Sequence, residues 1–438
     1  MHNRRVIVAG AGLAGLSAAH ELAQRGAALT LLDARERAGG RVWTVRDGFA
    51  HGQHAELGGE FIDEHHSRMR SLVERFGLEL VQVLRGGFTH RFRRRGGDIV
   101  LSRSGPWEPL RDLLAPLIRR YQAARGRDEA AAIREMSTFS LRGWLHEQNA
   151  DADVHAMVDS MRGFFLAEAQ DLSVLPVVAQ LAETGSPAVT PVYRIVGGMN
   201  RLIDALVAHT PARLLLRHQV RAVSQAADRI LVRATDQGGH LQEIEGDALV
   251  VTLPATTLRD IEITPALPED QQKAIARLRY GCATKVVVQC ASPGWQRRRA
   301  KAFATDGALG AFWDATEGQP SASASIINFL GGGAASPRLA ARGASGAGAL
   351  LSELCWLDLA GSPVLGSCRA TWEDDPFALG GYAYADPGFD PAWKPLLSRR
   401  AGRIVFGGEH TSEDFQGYME GAVESGERAA SELIRGVG

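Results

Sequence analysis

The sequence predicts an α/β fold that begins with a parallel βαβ unit at the N-terminus. Residues 4–9 are an apolar run rich in β-branched side chains, and the segment 10–15 after it fits the pattern G-x-G-x-x-G. Helix-forming residues follow at 16–25, and a second apolar run at 28–32 ends at Asp33. A strand, a glycine turn, a helix, a second strand and an acid in this order indicate a Rossmann-like dinucleotide-binding unit.

Each glycine of this unit has a physical reason to be there. Gly10 permits the tight turn, Gly12 lets the backbone approach a pyrophosphate, and Gly15 lets the helix pack closely on the strand. The helix N-terminus offers N–H groups and a partial positive charge to the phosphates. Asp33 can accept hydrogen bonds from a ribose diol.

Length and composition limit the class of protein. The 438 residues suggest two or three domains. The formal net charge of -1 gives no strong field that would favour nucleic acid or a membrane surface. No apolar run approaches the ~18 residues of a membrane span. Because Met1 leads directly into the first strand, we expect no signal peptide and a cytoplasmic location.

The cysteines do not indicate a metal site. None of the four forms a C-x-x-C pair, and no histidine stands at zinc-finger spacing. We therefore expect no metal, and free thiols in a reducing compartment. The four are Cys282, Cys290, Cys355 and Cys368.

Further patterns follow along the chain. Gly39 and Gly40 precede Arg41, whose guanidinium can bind phosphate oxygens. An α-rich stretch covers about 67–184, and the apolar run 248–253 is typical of a buried strand that returns to the first sheet. The stretch 403–426 again has the order strand, glycine turn, helix, as a second nucleotide half-site would.

An ordered set of motifs resembles the flavin-containing amine oxidases, which include monoamine oxidases, polyamine oxidases and the related L-amino acid oxidases. The resemblance covers nearly the whole chain, and the ordered set is far more specific than the first glycine motif alone. Its markers are the segments 6–16, 39–41, 56–59, 197–199, 380–382, 406–411 and 417–422, with Lys285 and Trp372.

The resemblance implies a monoamine-oxidase-like fold. In it, a Rossmann-like FAD-binding domain of the GR2 type is built from the segments 1–77, 195–274 and 372–438. A second, α+β substrate-binding domain is built from 78–194 and 275–371. The family's oligomer is a homodimer, which is the expectation for this chain.

The resemblance also implies which residues contact FAD. Asp33 takes the ribose role that the family usually gives to Glu, Arg35 and Arg41 contact adenosine and phosphate, and Val220 meets adenine through its backbone. Glu409 lies near the ribityl chain and the pyrophosphate, and Trp372 stands beside the flavin. The full set is Gly10, Gly12, Ala14, Gly15, Asp33, Ala34, Arg35, Gly40, Arg41, Gly58, Gly59, Glu60, Phe61, Val220, Trp372, Gly408, Glu409, Gly417, Tyr418, Met419 and Ala422.

Three residues match the family's reaction site. Lys285 matches a lysine that holds a water molecule against the flavin N5. Tyr382 and Tyr418 match two aromatic residues that flank the amine in front of the flavin, and such ring faces suit a cation or a polarised neutral amine. Each of these residues also has an ordinary reading, an exposed strand end for the lysine and two core tyrosines.

The chain departs from the family at several positions. Gly381 stands where mammalian-type monoamine oxidases have a cysteine bonded to the flavin, so we expect non-covalent FAD. Their C-terminal membrane tail is also absent from the sequence. Glu60 stands where a small or amide residue is common, and its carboxylate could bind a second ammonium, act as a base or cap nearby N–H groups. Asp63 is a weaker candidate for the same work, and Phe61 should line the pocket.

The resemblance implies oxidative deamination of a small-molecule amine to an imine, with molecular oxygen reduced to hydrogen peroxide. An L-amino acid oxidase is the first alternative; it needs an arginine to clamp the carboxylate, for which Arg162 or Arg194 is available. A flavin oxidase that tailors a larger amine or amide metabolite is the second. A non-catalytic flavoprotein is disfavoured by the presence of Lys285 and both tyrosines. Neither nucleic acid nor a membrane is an expected partner.

Overall fold

The computed structural model describes residues 1–94, 96–105, 107–124, 129–184, 190–291, 300–320, 323–344 and 346–436. The strands are β1 Arg5–Ala9, β2 Ala28–Leu32, β3 Thr44–Val45, β4 Ala55–Glu56, β5 Ile62–Asp63, β6 Leu80–Val83, β7 Thr89–Arg93, β8 Ile99–Ser102, β9 Val192–Ile195, β10 Ala212–Leu215, β11 Gln219–Gln225, β12 Ile230–Thr235, β13 Leu241–Gly246, β14 Ala248–Val251, β15 Glu262–Thr264, β16 Arg279–Tyr280, β17 Ala283–Cys290, β18 Ala302–Thr305, β19 Ala311–Asp314, β20 Ser325–Gly332, β21 Val364–Thr371, β22 Ala383–Tyr384 and β23 Ile404–Phe406.

The α-helices are α1 Leu13–Ala23, α2 Ser67–Arg75, α3 Trp107–Ala124, α4 Glu129–Ser137, α5 Leu141–Glu147, α6 Ala152–Asp159, α7 Arg162–Phe165, α8 Leu175–Thr184, α9 Asn200–Ala208, α10 Ala255–Leu258, α11 Glu269–Arg277, α12 Ala335–Ala344, α13 Ala347–Ser352, α14 Lys394–Ser398 and α15 Met419–Arg435. Short 3-10 helices lie at Cys355–Leu357, Pro391–Trp393 and Glu409–Thr411. Within the described residues, none of the helices is both long and apolar enough to cross a bilayer.

One of the two main sheets is parallel and has the order β10-β2-β1-β14-β23. Its strands come from three separated parts of the chain. Alternate residues of β1 face two cores: Val6 and Val8 pack towards α1, α9 and α15, while Ile7 and Ala9 pack on the side of β11 and β12. Because both faces are covered, β14 and the part of β1 after the exposed Arg5 are apolar instead of alternating.

The other main sheet has seven strands in the order β21-β17-β20-β19-β18-β7-β8. In its register Val287 of β17 is opposite Asn328 of β20, which is opposite Trp313 of β19. Side chains directly opposite each other share a face, and residues two apart on a strand do so as well. Lys285, Asn328 and Trp313 therefore point to the same face.

The helical elements agree with the expected α-rich stretch, since α2 to α8 lie between Ser67 and Thr184, interrupted by β6 to β8. The predicted return of 248–253 to the first sheet is confirmed by the parallel pairing of β14 with β1. The first helix begins at Leu13, earlier than the expected residue 16, because the glycine turn itself forms the helix start and Leu16 N–H already bonds to the Gly12 carbonyl.

Gly15 gives a test of this arrangement. A Cβ on Gly15 would lie 1.9 Å from the Gly10 carbonyl oxygen, so Gly15→Ala must push α1 away from the turn. We expect the free energy of unfolding to fall by about 1–3 kcal/mol and FAD retention to fall with it, measured by urea unfolding and by the flavin absorbance of purified protein. Gly348→Ala is the matched control, since a Cβ there meets open space. Equal behaviour of the two variants would contradict the packing argument.

Candidate active site

The glycine turn has bare backbone, and we call the surface along Gly10, Gly12, Gly40 and the loop 57–59 the groove. Gly10 has φ +103°, and a Cβ there would lie 2.7 Å from Thr252 Oγ1. Gly12 is the N-cap of α1 and provides no side-chain cap, and its backbone bridges to Gly39. Ala14 follows in the first turn of the helix. The N–H groups at this helix start can therefore receive an anion at close range, as a pyrophosphate requires.

Asp33 fastens the turn to the end of β2. Its Oδ2 accepts from Ala11 N–H and its Oδ1 from Arg35 N–H, both at 2.9 Å. Burial raises the pKa of Asp33, although these N–H groups oppose the shift. The His218 N–H donates to the Asp33 carbonyl, which brings buried Val220 beside this strand end. Asp33 and Val220 thus lie close together, and their roles at a ribose and an adenine stay predictions from the resemblance.

The two arginines expected at adenosine and phosphate lie in the same region, each with a carboxylate partner. Arg35, the residue after Ala34, has Nη2 at 2.8 Å from Asp375 Oδ1. Arg41 Nη1 donates to Glu409 Oε1 at 2.9 Å and to the Gly381 carbonyl at 2.7 Å. Both arginine side chains are largely buried and already paired with a carboxylate. A phosphate would therefore bind beside the carboxylate or replace it as the partner of the guanidinium.

Glu409 connects this cluster to the C-terminal helix. Its Oε2 accepts from Gly417 N–H at 3.0 Å, while Oε1 accepts from Arg41. Gly408 before it has φ +113°, a conformation that favours glycine. The carboxylate therefore joins the Gly39–Arg41 turn to the start of α15.

The loop 57–59 is held from three sides. Trp372 Nε1 donates to the Leu57 carbonyl at 2.9 Å. A Cβ on Gly58 would lie 1.9 Å from the Arg41 carbonyl oxygen, and one on Gly59 would lie 2.9 Å from Met419 Sδ. Gly58 requires glycine because the neighbouring atom belongs to the backbone, whereas at Gly59 the flexible Met419 side chain can shift. Gly40 packs directly against Gly12, since a Cβ on Gly40 would lie 3.4 Å from Gly12 Cα. Ala422 lies in the first turn of α15.

The tyrosine pair (Tyr382 and Tyr418) lies beside this helix start. A Cβ on Gly417 would be 3.3 Å from Tyr382 Cδ2, so Tyr382 packs against the residue that precedes Tyr418. The Tyr382 hydroxyl donates to the Phe164 carbonyl of α7, and burial raises its pKa. Tyr418 is 51% exposed and has the His66 ring 5.2 Å away. The Tyr382 ring is anchored inside, and the Tyr418 side chain is about half exposed.

Lys285 is buried, unlike the exposed strand end that its position would otherwise suggest. Its Nζ donates to the Gly58 carbonyl at 2.9 Å, the Glu56 carbonyl at 3.2 Å and Glu60 Oε2 at 2.9 Å. A lysine ammonium has three N–H donors, and here all three have protein acceptors. These contacts were not predicted from the sequence, and the water molecule on Lys285 stays a prediction from the resemblance.

Glu60 is the centre of a buried charged cluster. Oε2 accepts from Lys285 and from Asn328 Nδ2, both at 2.9 Å, and Oε1 accepts from Trp313 Nε1 at 2.8 Å. Arg194 Nε lies 3.5 Å from Oε1. Burial alone would raise the pKa of Glu60, but Lys285 and Arg194 hold it below its usual value. The carboxylate is an ion with its donors already in place, which suits neither a base nor a site for a second ammonium.

Residue patterns alone missed Trp313, Asn328 and the Phe164 carbonyl. Asn328 had a signal, because it is a polar residue inside the apolar run of β20. A buried amide needs partners, and this one donates to Glu60 and to the Glu56 carbonyl. For Trp313 and the Phe164 carbonyl we identify no signal in the sequence.

Asp63, His65 and His66 bring potential metal-ligand atoms within 4.8 Å of one another. His66 Nδ1 accepts the Asp63 backbone N–H at 3.0 Å, so the neutral ring carries its proton on Nε2. That nitrogen, 3.6 Å from Asp63 Oδ2, is buried without a hydrogen-bond partner. A protonated Nε2 is no metal ligand, and the cluster is better understood as the rim beside Tyr418.

The arginines considered for a substrate carboxylate are both engaged. Arg194 donates to the carbonyls of Asp314 and Ala315, both at 2.9 Å, in addition to its contact with Glu60. Arg162 Nη2 lies 3.2 Å from Glu168 Oε2. Neither guanidinium offers a free fork to a carboxylate.

The chain matches the sequence profile of the flavin containing amine oxidoreductases over residues 13–434. Among curated relatives it is 25% identical to amine oxidase [flavin-containing] A of Equus caballus, over 100% of this chain and 86% of the relative. It is also 25% identical to L-amino acid oxidase of Cerastes cerastes, over 99% and 87%.

Solved structures resemble the whole chain. Cyclohexylamine oxidase from Brevibacterium oxydans IH-35A superposes with a TM-score of 0.84 at 22% identity, over 99% of each chain. Wild-type putrescine oxidase bound to putrescine gives 0.80 at 21% identity, also over 99% of each. These likenesses confirm the predicted fold class, an FAD-binding α/β domain with a substrate-binding domain.

Glu56 gives a test by pH. Burial, reinforced by the Glu60 carboxylate, raises the pKa of Glu56 to about 8, although Met199 N–H opposes the shift. Its folded pKa lies above the unfolded value, so its stabilising contribution is complete below the unfolded pKa and is lost as pH rises towards 8. We therefore expect Glu56→Gln to gain stability relative to the unsubstituted protein between about pH 5 and about pH 8, by up to about 1.4 kcal/mol per pH unit.

Urea unfolding of both proteins across this range measures the difference. Histidines distant from Glu56 titrate alike in both proteins and cancel. His54, 3.8 Å from Glu56, has its pKa lowered by burial to about 4, below this pH range. Glu36→Gln, at an exposed side chain, is the control for loss of one carboxylate. A difference between Glu56→Gln and the unsubstituted protein that stays constant with pH would contradict the assignment of a neutral, buried Glu56.

Proposed function

Because the chain belongs to the flavin containing amine oxidoreductase family, we propose that it oxidises apolar monoamines with non-covalent FAD at the tyrosine pair. A primary amine is oxidised by two electrons to an imine, which water converts to an aldehyde and ammonia. Molecular oxygen takes the two electrons and two protons and leaves as hydrogen peroxide. One amine, one oxygen and one water thus give one aldehyde, one ammonia and one peroxide.

The groove fits FAD through its own residues. The helix start at Gly12 would receive the pyrophosphate, Asp33 would receive the ribose, and the loop 57–59 with Trp372 would receive the flavin end. When bound, FAD supplies the redox chemistry by accepting a hydride equivalent from the amine α-carbon. Gly381 in place of a cysteine supports non-covalent binding. The cytoplasmic location and the homodimer stay predictions from the sequence.

The observation that carries the proposal is the anchoring of Tyr382. Its hydroxyl is tied to the Phe164 carbonyl, which fixes the ring, and Gly417 places Tyr418 next to it. Two phenol faces side by side can flank an amine nitrogen and orient its α-carbon.

The surroundings support a monoamine with an apolar body. A chain of aromatic rings leads from the Glu60 cluster to the tyrosine pair: Phe61 lies 5.3 Å from Trp313, Trp313 lies 6.2 Å from Phe88, and Phe88 lies 4.8 Å from Phe164. The buried charged groups beside it are paired with each other. Along this wall, a second ammonium or a carboxylate would meet only charged groups that are already paired, at a high cost in desolvation. The carboxylate of Asp63 lies instead at the rim beside Tyr418.

The experiment is anaerobic bleaching of the flavin band. We expect benzylamine and hexylamine to reduce the holoenzyme, with peroxide released on adding air, and putrescine, spermidine and L-leucine to act about tenfold or more slowly. Faster bleaching by L-leucine would favour an L-amino acid oxidase. Bleaching by none of the five would contradict the proposed substrate class.

Substitution of Tyr382 tests the tyrosine pair. Tyr382→Leu removes the ring face, and we expect kcat/KM for benzylamine to fall about tenfold or more. Tyr382→Phe is the matched control: it keeps the face, loses only the bond to Phe164, and should fall by a smaller factor. Equal loss in both variants would assign the effect to the hydroxyl and contradict the role of the ring.

A further inference from the structure

The contacts of Lys285 leave no donor for another ligand. Its three acceptors are the Glu56 and Gly58 carbonyls and Glu60 Oε2, and its side chain is 7% exposed. The acceptors come from residues before, within and after the loop 57–59, which packs against Trp372 and Met419. The ammonium is therefore locked to the wall of the groove by protein groups alone.

The charge of this wall can be counted. Lys285 and Arg194 are cations and Glu60 is a carboxylate, so the cluster carries one net positive charge. Glu56 contributes only its backbone carbonyl to Lys285. Burial raises the pKa of its own carboxyl to about 8, which favours the neutral form at pH 7, although Thr44 and the Met199 N–H donate to it and oppose the shift. His54, 3.8 Å from Glu56, is neutral there because burial lowers its pKa to about 4.

The cluster lies next to the groove assigned to FAD. Gly58, which accepts from Lys285, is backed by Arg41, and Gly59 is in contact with the first residue of α15. A charge in a buried, low-dielectric site acts more strongly on its neighbours than one in water. Positive charge stabilises a cofactor that has taken up electrons, and negative charge opposes it.

We propose that Glu60 is a built-in counter-ion that binds the Lys285 ammonium in place of a water molecule and sets the net charge of the flavin site at one positive charge. Glu60 is then a positioning residue, which acts on the cofactor through Lys285. This inference rests on FAD binding at the groove, as in the proposed function, but not on the identity of the amine.

Charge substitutions test the proposal with a readout that needs no substrate. The quantity is the FAD midpoint potential of purified holoenzyme at pH 7, measured by equilibration with redox dyes, alongside FAD affinity and the melting temperature. Glu60→Gln leaves the cluster with two net positive charges, and Lys285→Met leaves it with zero net charge. The double variant restores one net positive charge. We expect the potential to rise in the first, to fall in the second and to return to the unsubstituted value in the double variant.

Asn328→Ala is the matched control, because it removes an uncharged donor from Glu60 Oε2 without changing the charge. We expect it to lower the melting temperature and to leave the potential unchanged. If Glu60→Gln does not fold, the double variant can be compared with Lys285→Met. The FAD midpoint potential should be higher in the double variant, because the Glu60 carboxylate has been removed.

The outcomes separate the proposals. Shifts of the same sign in Glu60→Gln and Lys285→Met, or potentials that do not move while stability falls, would overturn the counter-ion role. A protein that takes up no FAD would instead overturn the cofactor groove. FAD reduction by amines together with unshifted potentials would leave the proposed function standing and remove only this inference.

Discussion

The structure depends on one buried carboxylate. Glu60, from the connection between β4 and β5, binds Lys285 of β17, Asn328 of β20 and Trp313 of β19, with Arg194 of β9 beside it. A charge taken out of water loses several kcal/mol of hydration, which only a full set of donors can offset. The contacts are therefore interdependent: removal of one partner exposes another to the cost of an unpaired buried charge.

This cluster joins the loop 57–59, which lies beside the glycine turn, to the seven-stranded sheet. From it, aromatic rings continue to Phe164, whose carbonyl anchors Tyr382. The position of the tyrosine pair relative to the groove thus follows from packing that begins at Glu60. A site built on strands and fixed side chains excludes water and holds its geometry better than one built on loops.

Much of the fold could be predicted because its signals are local. The glycine turn, the strand that ends at Asp33 and the apolar run of β14 follow from backbone sterics and from burial on both faces. The start of α1 could not be located, since Gly12 caps the helix without a side chain.

The site was predicted less completely, because its key contacts join distant parts of the chain. Glu60 and Lys285 are 225 positions apart, and nothing near either residue indicates the other. The family resemblance placed both near the flavin, but with a water molecule on the lysine and an open role for the acid. The register of β17, β20 and β19 brings Asn328 and Trp313 to the same carboxylate, and register is a tertiary property.

The most direct measurement of the central claim is a high-resolution crystal structure of the FAD-loaded protein, read at Lys285 Nζ. The account predicts three protein acceptors, the carbonyls of Glu56 and Gly58 and the carboxylate of Glu60, with no ordered water bound to the ammonium. A water molecule on Nζ, with Glu60 turned away, would contradict it.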